Sequence, residues 1–269
     1  MARARIVGVT LVRDEDFFVE QAVRNVLDSC DEVLVLEHRS IDATPEILER
    51  LAAEDSRVRL YRIDDLRRSH DLVAGYAGEP VWILGFDGDQ LFDPEGLAAL
   101  RPRLLDGEFD AFWTVAGRTL NCTALDPLSG EAKGYHAPPS RGTPKLLNFA
   151  AIDAWEGPTR ERLHGGTIRF RPGYDMSTRT NELQELPWDE TPLRSLHLPF
   201  LRRSSKRAQT TRFNPTEAAA RRTARARFER AARAALRRPQ PAQGKLDGYS
   251  QGPLVAVDAR PFVPAPTDR

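Results

Sequence analysis

The 269-residue sequence has only two cysteines, Cys30 and Cys122, too few for a disulfide framework or a cysteine-rich zinc site. It contains no apolar run of membrane-spanning length, and its first residues lead into an apparent strand without the apolar region of a secretory signal. Internal repeats are also absent. We therefore expect a soluble, cytoplasmic protein from a reducing compartment, without a transmembrane segment.

The formal net charge is zero, but the charges are unevenly distributed. Residues 1–201 contain 23 Lys and Arg against 34 Asp and Glu, whereas residues 202–269 contain 16 against 5. The acidic body argues against a nucleic-acid partner. The basic part could bind a polyanion, or it could pack on the acidic body of its own chain or of a second subunit. We expect a catalytic domain at 1–204 and an extension at 205–269 through which a homodimer could form.

The first half of the sequence alternates between strand-like and helix-like patterns. Apolar runs predict strands at 6–12, 32–37, 57–63 and 81–86. Apolar residues at helical spacing predict helices at 16–28, 44–53 and 65–76. Thr44 is a suitable N-cap for the second helix, and Pro45 suits its first turn. This order indicates an α/β fold with a mostly parallel sheet.

The second half of the sequence is less regular. We expect a helix at 94–105 and strands at 110–115, 145–152 and 166–170. Frequent Gly, Pro and Asn predict a long loop or lid at 117–143. An arginine-rich helix is expected at 215–236, followed by an extended strap that reaches residue 269.

Two aspartates follow an apolar run with the composition of a strand buried on both faces. The run is Val81 to Phe86, and Asp87 and Asp89 come directly after it. Open α/β sheets bind ligands at the carboxyl ends of their strands, and alternate residues of an extended segment point to one side. Asp87 and Asp89 can therefore share a hard cation, with Gly88 leaving room for a ligand beside the backbone. For the pair alone, an acidic turn is the alternative.

Four segments, in this order, resemble the GT-A-fold glycosyltransferases of family 2, which use nucleotide sugars. They are Ile6 to Glu15, Val33 to Thr44, Phe86 to Asp89, and Leu196 to Ser204 with its histidine. The second is similar to the family's Asp-Asp-Gly-Ser-Thr-Asp-Gly-Thr pattern, and the third to its Asp-x-Asp motif. The resemblance implies a GT-A type of α/β fold, with a mixed, mainly parallel sheet flanked by helices, to which the basic extension is added.

The resemblance also implies a metal site. Asp87, Asp89 and His197 would bind Mn²⁺ or Mg²⁺, and the histidine favours manganese. Such a cation neutralises the negative charge of the departing diphosphate. For His197 alone, a structural histidine beside Pro199 is the alternative. Gln90 stands where the family more commonly has Glu, so the metal geometry is expected to differ slightly.

The nucleotide-binding positions follow from the same resemblance. They are Thr10, Val12, Glu37, His38, Arg39, Arg67, His70, Asp87 and Gly88. Glu37, His38 and Arg39 stand where the family has Asp, Asp and Gly, at the strand end that reads the nucleobase. Arginine donors suit guanine O6 and N7, which favours a GDP-sugar over a UDP-sugar. The alternatives are a surface ion pair for Arg39 and a solvated helix face for Arg67 and His70.

An inverting transfer needs a carboxylate to accept the proton of the acceptor. We rank Glu156 first, because Trp155 could line a sugar site and Gly157 leaves room for substrate. Asp153 and Asp175 follow, and His164 resembles the histidine after the family's Trp segment. For each of these residues, a loop position without a catalytic role is the alternative.

The leading hypothesis is a metal-dependent glycosyltransferase that transfers a sugar from a nucleotide diphosphate to a small-molecule or glycan acceptor. A nucleotide-sugar mutase or isomerase would use the same donor site without an acceptor, and no acceptor domain is recognisable in the sequence. A third hypothesis is an inert nucleotide-sugar-binding module, against which the complete set of Asp87, Asp89 and His197 argues.

Overall fold

The computed structural model describes residues 4–138, 145–206 and 249–263. The strands are β1 Arg5–Val12, β2 Glu32–Glu37, β3 Val58–Arg62, β4 Val81–Phe86, β5 Gln90–Phe92, β6 Thr114–Ala116, β7 Arg118–Asp126, β8 Glu131–His136, β9 Lys145–Asn148, β10 Ile152–Glu161, β11 His164–Phe170, β12 Arg179–Thr180, β13 Arg194–His197 and β14 Leu254–Asp258. The helices are α1 Val19–Leu27, α2 Thr44–Glu54, α3 Arg68–Ala74, α4 Pro94–Leu105 and α5 Glu182–Glu185, with 3-10 helices at Phe149–Ala151 and Trp188–Glu190.

A seven-stranded sheet forms the centre of the fold, in the order β12-β6-β9-β4-β1-β2-β3. Strands β4, β1, β2 and β3 are parallel, and β9 runs antiparallel to both β4 and β6. The predicted mainly parallel α/β fold is therefore confirmed. The predicted elements of the first half lie within a few residues of the observed ones, because their apolar patterns are strong.

The central strands are apolar on both faces because each face is covered. Along β4, Trp82 and Leu84 belong to one buried cluster and Val81 and Ile83 to the other. Helices α1, α2 and α4 contribute to the first cluster, whereas α3 and β10 contribute to the second. A strand enclosed in this way exposes polar residues only where it ends.

The predicted loop at 117–143 is wrong for most of its length. Strands β7 and β8 form an antiparallel hairpin across Asp126 and Glu131, and β7 also runs parallel to β13. The resulting five-stranded sheet has the order β14-β8-β7-β13-β5. Gly134 of β8 has a packing role, because a Cβ at this position would lie 2.2 Å from the Asn121 carbonyl oxygen of β7. Gly134 therefore marks close packing between β7 and β8 rather than a loop.

The described part of the C-terminal region packs on the same core as the rest of the chain. β14 pairs with β8, and Phe262 is fully buried. Asn25 of α1 donates its side-chain amide to the carbonyl oxygens of Phe92 and Phe262. Residues 254–263 are thus an edge strand and a core anchor rather than an extended strap. The predicted helix 215–236 lies outside the described residues, so a dimer through it stays a prediction.

The starts of α4 and α2 are fixed by different side-chain contacts, and the predicted Thr44 cap is wrong. Asp93 caps α4, because its side chain accepts from the amides of Glu95 and Gly96. Thr44 is not the N-cap of α2; instead its hydroxyl accepts from the Glu15 amide and ties α2 to the loop after β1. In the part of the chain that the structure describes, no helix is long and apolar enough to cross a membrane.

Candidate functional site

The candidate site lies where β4 ends and β13 passes beside it. Asp87 follows the last residue of β4, and Asp89 precedes β5. Strand β13 is antiparallel to β5, with His197 opposite Gln90, and parallel to β7, with His197 opposite Asn121. This pairing brings a histidine from more than a hundred residues away to the two aspartates.

Three ligand atoms converge at this point. Asp87, Asp89 and His197 each offer one atom, and these atoms lie within 4.8 Å of one another. The Nε2 atom of His197 is 3.6 Å from Asp89 Oδ1 and 3.9 Å from Asp87 Oδ2. It is buried and has no hydrogen-bond partner among the residues that the structure describes. A nitrogen and two carboxylate oxygens in this arrangement fit Mn²⁺ or Mg²⁺.

Two neighbours fix the ring of His197. Its Nδ1 lies 3.0 Å from Asn121 Oδ1, which can only accept, so Nδ1 donates and the neutral ring has its lone pair on Nε2. Tyr249 contacts the ring edge-on, with centroids 5.3 Å apart. Outer contacts of this kind orient metal-binding histidines.

Each aspartate also has one oxygen bound by a buried arginine. Arg162 Nη2 donates to Asp87 Oδ1 at 2.7 Å, and its Nη1 donates to the Phe86 carbonyl oxygen at 2.6 Å. Arg203 Nη1 is 2.9 Å from Glu15 Oε1 and 3.4 Å from Asp89 Oδ2. The other oxygens, Asp87 Oδ2 and Asp89 Oδ1, are the ones nearer to His197.

Helix α3 holds the backbone of Arg162. The Arg162 amide donates to Ser69 Oγ at 2.7 Å, and His70 Nδ1 lies 2.8 Å from the Arg162 carbonyl oxygen. His70 Nε2 lies 3.2 Å from the Trp155 carbonyl oxygen. Because both ring nitrogens of this buried histidine face main-chain carbonyls, His70 positions the β10–β11 turn. His70 is buried rather than on a solvated helix face, and its predicted role in nucleotide binding stays a prediction.

Strained backbone is concentrated near these groups. Among the residues that the structure describes, the non-glycine residues with positive φ are Asp14, Arg39 and Arg162, at 55°, 52° and 34°. Asp14 follows β1, Arg39 follows β2, and Arg162 contacts Asp87. Such conformations cost free energy and are typical of functional sites.

The predicted base-reading residues line the ends of β1 and β2. Thr10 and Val12 are fully buried, and the Thr10 hydroxyl has no hydrogen-bond partner. Glu37 is buried and accepts from the Ser40 amide at 2.6 Å, and His38 Nε2 lies 3.2 Å from the Asp64 carbonyl oxygen. Only Arg39, 63% exposed at its side chain, extends into solvent, where it pairs with Asp64 at 2.9 Å. The ion pair is thus with a surface acid other than Glu37.

Gly88 and Gln90, which flank Asp89, both pack against other parts of the chain. A Cβ at Gly88 would lie 2.1 Å from Glu15 Oε2 and 2.8 Å from Val12 Cγ1, so packing requires a glycine here. Its predicted place beside the nucleotide stays a prediction. Gln90 donates to Ser195 Oγ at 2.9 Å and helps to join β5 to β13. Arg67, 71% exposed at its side chain, pairs with Asp65, as expected of a solvated helix face.

The candidate catalytic residues are dispersed over the surface. Glu156 and Asp153 are exposed on β10, which is a strand rather than the expected loop, and Asp153 pairs with Arg169 at 2.7 Å. Asp175 accepts from the Ser177 hydroxyl and amide, which lower its pKa. His164 is exposed at the start of β11.

Trp155 is part of the core and does not line a sugar site. It is buried, its Nε1 donates to the Gly165 carbonyl oxygen at 2.9 Å, and its ring packs against His70 and Phe149. A lone tryptophan before a glutamate has no sequence feature that separates these two roles.

Four residues of the site escaped sequence reasoning. They are Asn121, Arg162, Arg203 and Tyr249. Arg203 lies in the quoted histidine segment and could have been noticed as a cation next to it. Asn121 and Arg162 carry no local signal, because strand pairing and a hairpin turn bring them to the site. Tyr249 was hidden within a region read as a strap.

The matching family and the curated relative are both described as glycosyltransferases. Residues 10–171 match the model of the family described as Glycosyl transferase family 2. A stretch of 82 residues is 43% identical to glycosyltransferase AglD of Haloferax volcanii. It covers 30% of this chain and 13% of that protein, so the chain spans only a small part of this curated relative.

Two solved structures show a weaker similarity. The mannosyltransferase PcManGT from Pyrobaculum calidifontis, in complex with GDP-Man and Mn²⁺, gives a TM-score of 0.34 at 18% identity, over 47% of this chain and 37% of that one. Glucosyl-3-phosphoglycerate synthase from Mycobacterium tuberculosis, with Mn²⁺, UDP and glucosyl-3-phosphoglycerate, gives 0.37 at 15%, over 55% and 58%. At these TM-scores the similarities decide neither donor nor acceptor.

The family match carries the assignment, because it covers more than half of the chain and contains the end of β1, all of β2 and both aspartates. The predicted family resemblance is confirmed, and with it the GT-A type of α/β fold. The chain belongs to glycosyl transferase family 2.

Proposed function

We propose that this chain is a metal-dependent glycosyltransferase that uses a nucleotide-diphosphate sugar. The observation that carries the proposal is the convergence of Asp87, Asp89 and His197 with a buried, unpartnered Nε2 atom. A buried nitrogen without a hydrogen-bond partner is costly unless a ligand uses its lone pair. Family membership supports a sugar nucleotide as the substrate.

The cation is proposed to be Mn²⁺ or Mg²⁺, held by Asp87, Asp89 and His197. Bound there, it would neutralise negative charge on the departing diphosphate. The chain's own part is to hold the three ligand atoms in place. Asn121 fixes the tautomer of His197, while Arg162 and Arg203 each bind the second oxygen of an aspartate.

For the donor we propose a GDP-sugar. Arg39 leaves the end of β2 in a left-handed conformation and presents its guanidinium to solvent. Its ion pair with Asp64 joins two exposed side chains, so it contributes little and can be exchanged for a guanine edge. Replacing Arg39 with Ala should weaken GDP binding about tenfold and leave UDP binding nearly unchanged, as measured by calorimetry.

For the proton acceptor we propose Glu156. It is exposed on β10, the strand whose hairpin turn carries Arg162 to Asp87. A carboxylate on this hairpin can face an acceptor that approaches from solvent. The acceptor is proposed to be a small molecule or a glycan.

The proposal is tested by incubating the protein with GDP-, UDP- and dTDP-sugars, Mn²⁺ or Mg²⁺, and a panel of acceptors. Products are separated by chromatography and identified by NMR. Nucleoside diphosphate released only with an acceptor, together with a new glycoside, supports transfer. An isomeric nucleotide sugar formed without acceptor indicates a mutase instead. If no nucleotide binds with or without metal, the proposed function is wrong.

A further inference from the structure

Two buried arginines lie against the carboxylates that would hold the cation. Arg162 is 2.7 Å from Asp87 Oδ1, and Arg203 is 3.4 Å from Asp89 Oδ2. Both arginine side chains are only 9% exposed, and Asp89 is fully buried. Charges in such surroundings are screened much less by salt and water than charges at the surface.

Arg162 is held at this position from several sides. Its Nη1 donates to the Phe86 carbonyl oxygen, and its own amide donates to Ser69 Oγ. Its backbone is left-handed, and its carbonyl oxygen lies beside His70. Moving the guanidinium away from Asp87 would also break its hydrogen bond to the end of β4, while α3 holds the backbone of Arg162 in place. Its positive charge therefore stays next to any cation that binds Asp87.

Arg203 is also fixed, by an acid that is not one of the three ligands. Its Nη1 lies 2.9 Å from Glu15 Oε1, and its carbonyl oxygen accepts from the Phe17 amide. Its Nε is buried without a hydrogen-bond partner. A donor in this state is suited to a further anionic group at the site.

We propose that Arg162 and Arg203 make cation binding depend on the nucleotide diphosphate. The inference rests on the proposed function and deepens it. A guanidinium at each aspartate repels a divalent cation, so the metal alone binds weakly. A diphosphate brings negative charge that attracts the metal and both arginines together. Cation and diphosphate therefore bind cooperatively, and each increases the affinity for the other by the same factor.

The experiment measures Mn²⁺ binding, by the electron paramagnetic resonance signal of free Mn²⁺, with and without GDP or UDP. Wild type is compared with Arg162→Gln and Arg203→Gln, which remove a charge, and with Arg162→Lys, which keeps it. Arg103→Gln is the surface control, since Arg103 pairs only with Glu108 among its described acidic neighbours. Circular dichroism and cooperative melting confirm that each variant is folded.

In wild type, we expect the diphosphate to tighten Mn²⁺ binding at least tenfold. Each Gln variant should bind Mn²⁺ alone about tenfold more tightly than wild type, with a smaller gain from the diphosphate. Arg103→Gln should match wild type for Mn²⁺ alone, and Arg162→Lys, which keeps the charge, should lie closer to wild type than Arg162→Gln.

Two results would overturn the inference while leaving the proposed function intact. One is a wild-type protein that binds GDP or UDP without any change in Mn²⁺ affinity. The other is a pair of folded Gln variants that bind Mn²⁺ alone no more tightly than wild type. If wild type binds neither nucleotide, the proposed function fails first and takes the inference with it.

Discussion

At the scale of single residues, the orientation of the His197 ring depends on the uncharged side chain of Asn121. Asn121 Oδ1 can only accept, so it places the hydrogen of the imidazole on Nδ1 and leaves Nε2 for a metal. Neither residue is informative alone, and the pairing of β7 with β13 makes them neighbours. The residue-level chemistry of the site is thus set by strand register.

Replacing Asn121 with Ala should weaken Mn²⁺ binding about 10- to 100-fold, because His197 loses the contact that fixes its tautomer and orientation. Isothermal titration with Mn²⁺ in the presence of GDP or UDP measures the change. Thr123→Val on the same strand is the control, since Thr123 is exposed and its hydroxyl donates only to the Lys133 carbonyl oxygen among described groups. Equal Mn²⁺ affinity in Asn121→Ala and wild type would remove Asn121 from the site.

Glu156→Gln tests the proposed proton acceptor. The amide cannot take a proton from the acceptor, so kcat should fall by about 10²- to 10⁴-fold while donor and Mn²⁺ affinities stay near wild type. Steady-state kinetics and calorimetry separate the two effects. Asp153→Asn is the matched control on the same strand, because Asp153 pairs with Arg169. A fall in kcat with Asp153→Asn and none with Glu156→Gln would reverse the ranking.

Ser204 links the segment after β13 to Asp42, with its hydroxyl 2.6 Å from Asp42 Oδ2. Burial raises the pKa of Asp42, but hydrogen bonds from Ser204 and Thr44 outweigh it and hold the pKa below the usual 3.8. A lowered pKa stabilises the fold above the ordinary value, and this contribution disappears as the pH falls through the folded-state pKa.

Ser204→Ala should therefore lower the free energy of unfolding by about 1.5–3 kcal/mol at pH 7 and by much less near pH 3. Urea unfolding at the two pH values measures the difference. Ser205→Ala, which removes an exposed contact with Asp16, is the control and should cost little at either pH. An equal loss at both pH values would show that Asp42 ionisation is not involved.

At the scale of elements, the β10–β11 hairpin is the part of the site that the sequence did not reveal. Its turn lies on the end of β4, where a Cβ at Gly85 would meet Leu163 Cδ1 at 2.5 Å. The next contact is Arg162 on Asp87, and α3 binds the turn from the other side. The hairpin thus couples α3 to the first aspartate.

Ser69→Ala should lower the free energy of unfolding by about 1–3 kcal/mol, because the buried Arg162 amide loses its acceptor. It should also weaken Mn²⁺ binding in the presence of diphosphate, since the turn that holds Asp87 is released. Chemical denaturation and Mn²⁺ titration measure the two effects. Asp71→Ala, exposed on the same helix, is the control. Unchanged stability would show that α3 does not hold the turn.

Prediction from sequence succeeded where apolar patterns are continuous and failed where pairing is non-local. Strand β2 and helix α4 have the predicted bounds, because a buried strand and an Asp-Pro helix start are local signals. The β7–β8 hairpin was read as a loop, since its glycine reports close packing between strands and its turn lacks a two-residue signature. The metal ligands were accessible because Asp87 and Asp89 lie one residue apart after a buried strand, and because the segment with His197 resembles the family's histidine segment.

At the scale of the whole molecule, the C-terminal segment completes the structure that the first strands begin. Phe262 is fully buried, packs against Trp188 with centroids 5.9 Å apart, and lies under Arg194. Tyr249, a few residues before β14, reaches the ring of His197. The predicted division into a domain at 1–204 and an extension at 205–269 stays a prediction, because the structure does not describe residues 207–248.

Phe262→Ala should lower the free energy of unfolding by about 3–5 kcal/mol, as expected for an aromatic side chain removed from a packed core. Guanidinium unfolding followed by tryptophan fluorescence measures the loss. Arg260→Ala is the control, because Arg260 is exposed and pairs with Asp258. A loss below about 1 kcal/mol would indicate that residues 254–263 are peripheral to the fold.

The bond from Asn25 to Phe262 also bears on how this protein folds in time. It joins residues 237 positions apart, whereas β1, α1 and β2 are complete within the first forty residues. At typical rates of synthesis, about 10 to 50 s separate the emergence of these two partners. For that interval α1 lacks one acceptor. Once β8 has emerged, its edge stays unpaired until β14, which begins 118 residues after β8 ends, and this edge exposes the nascent chain to aggregation. Folding of this protein should therefore benefit from a chaperone that covers the edge of β8 until β14 has been synthesised.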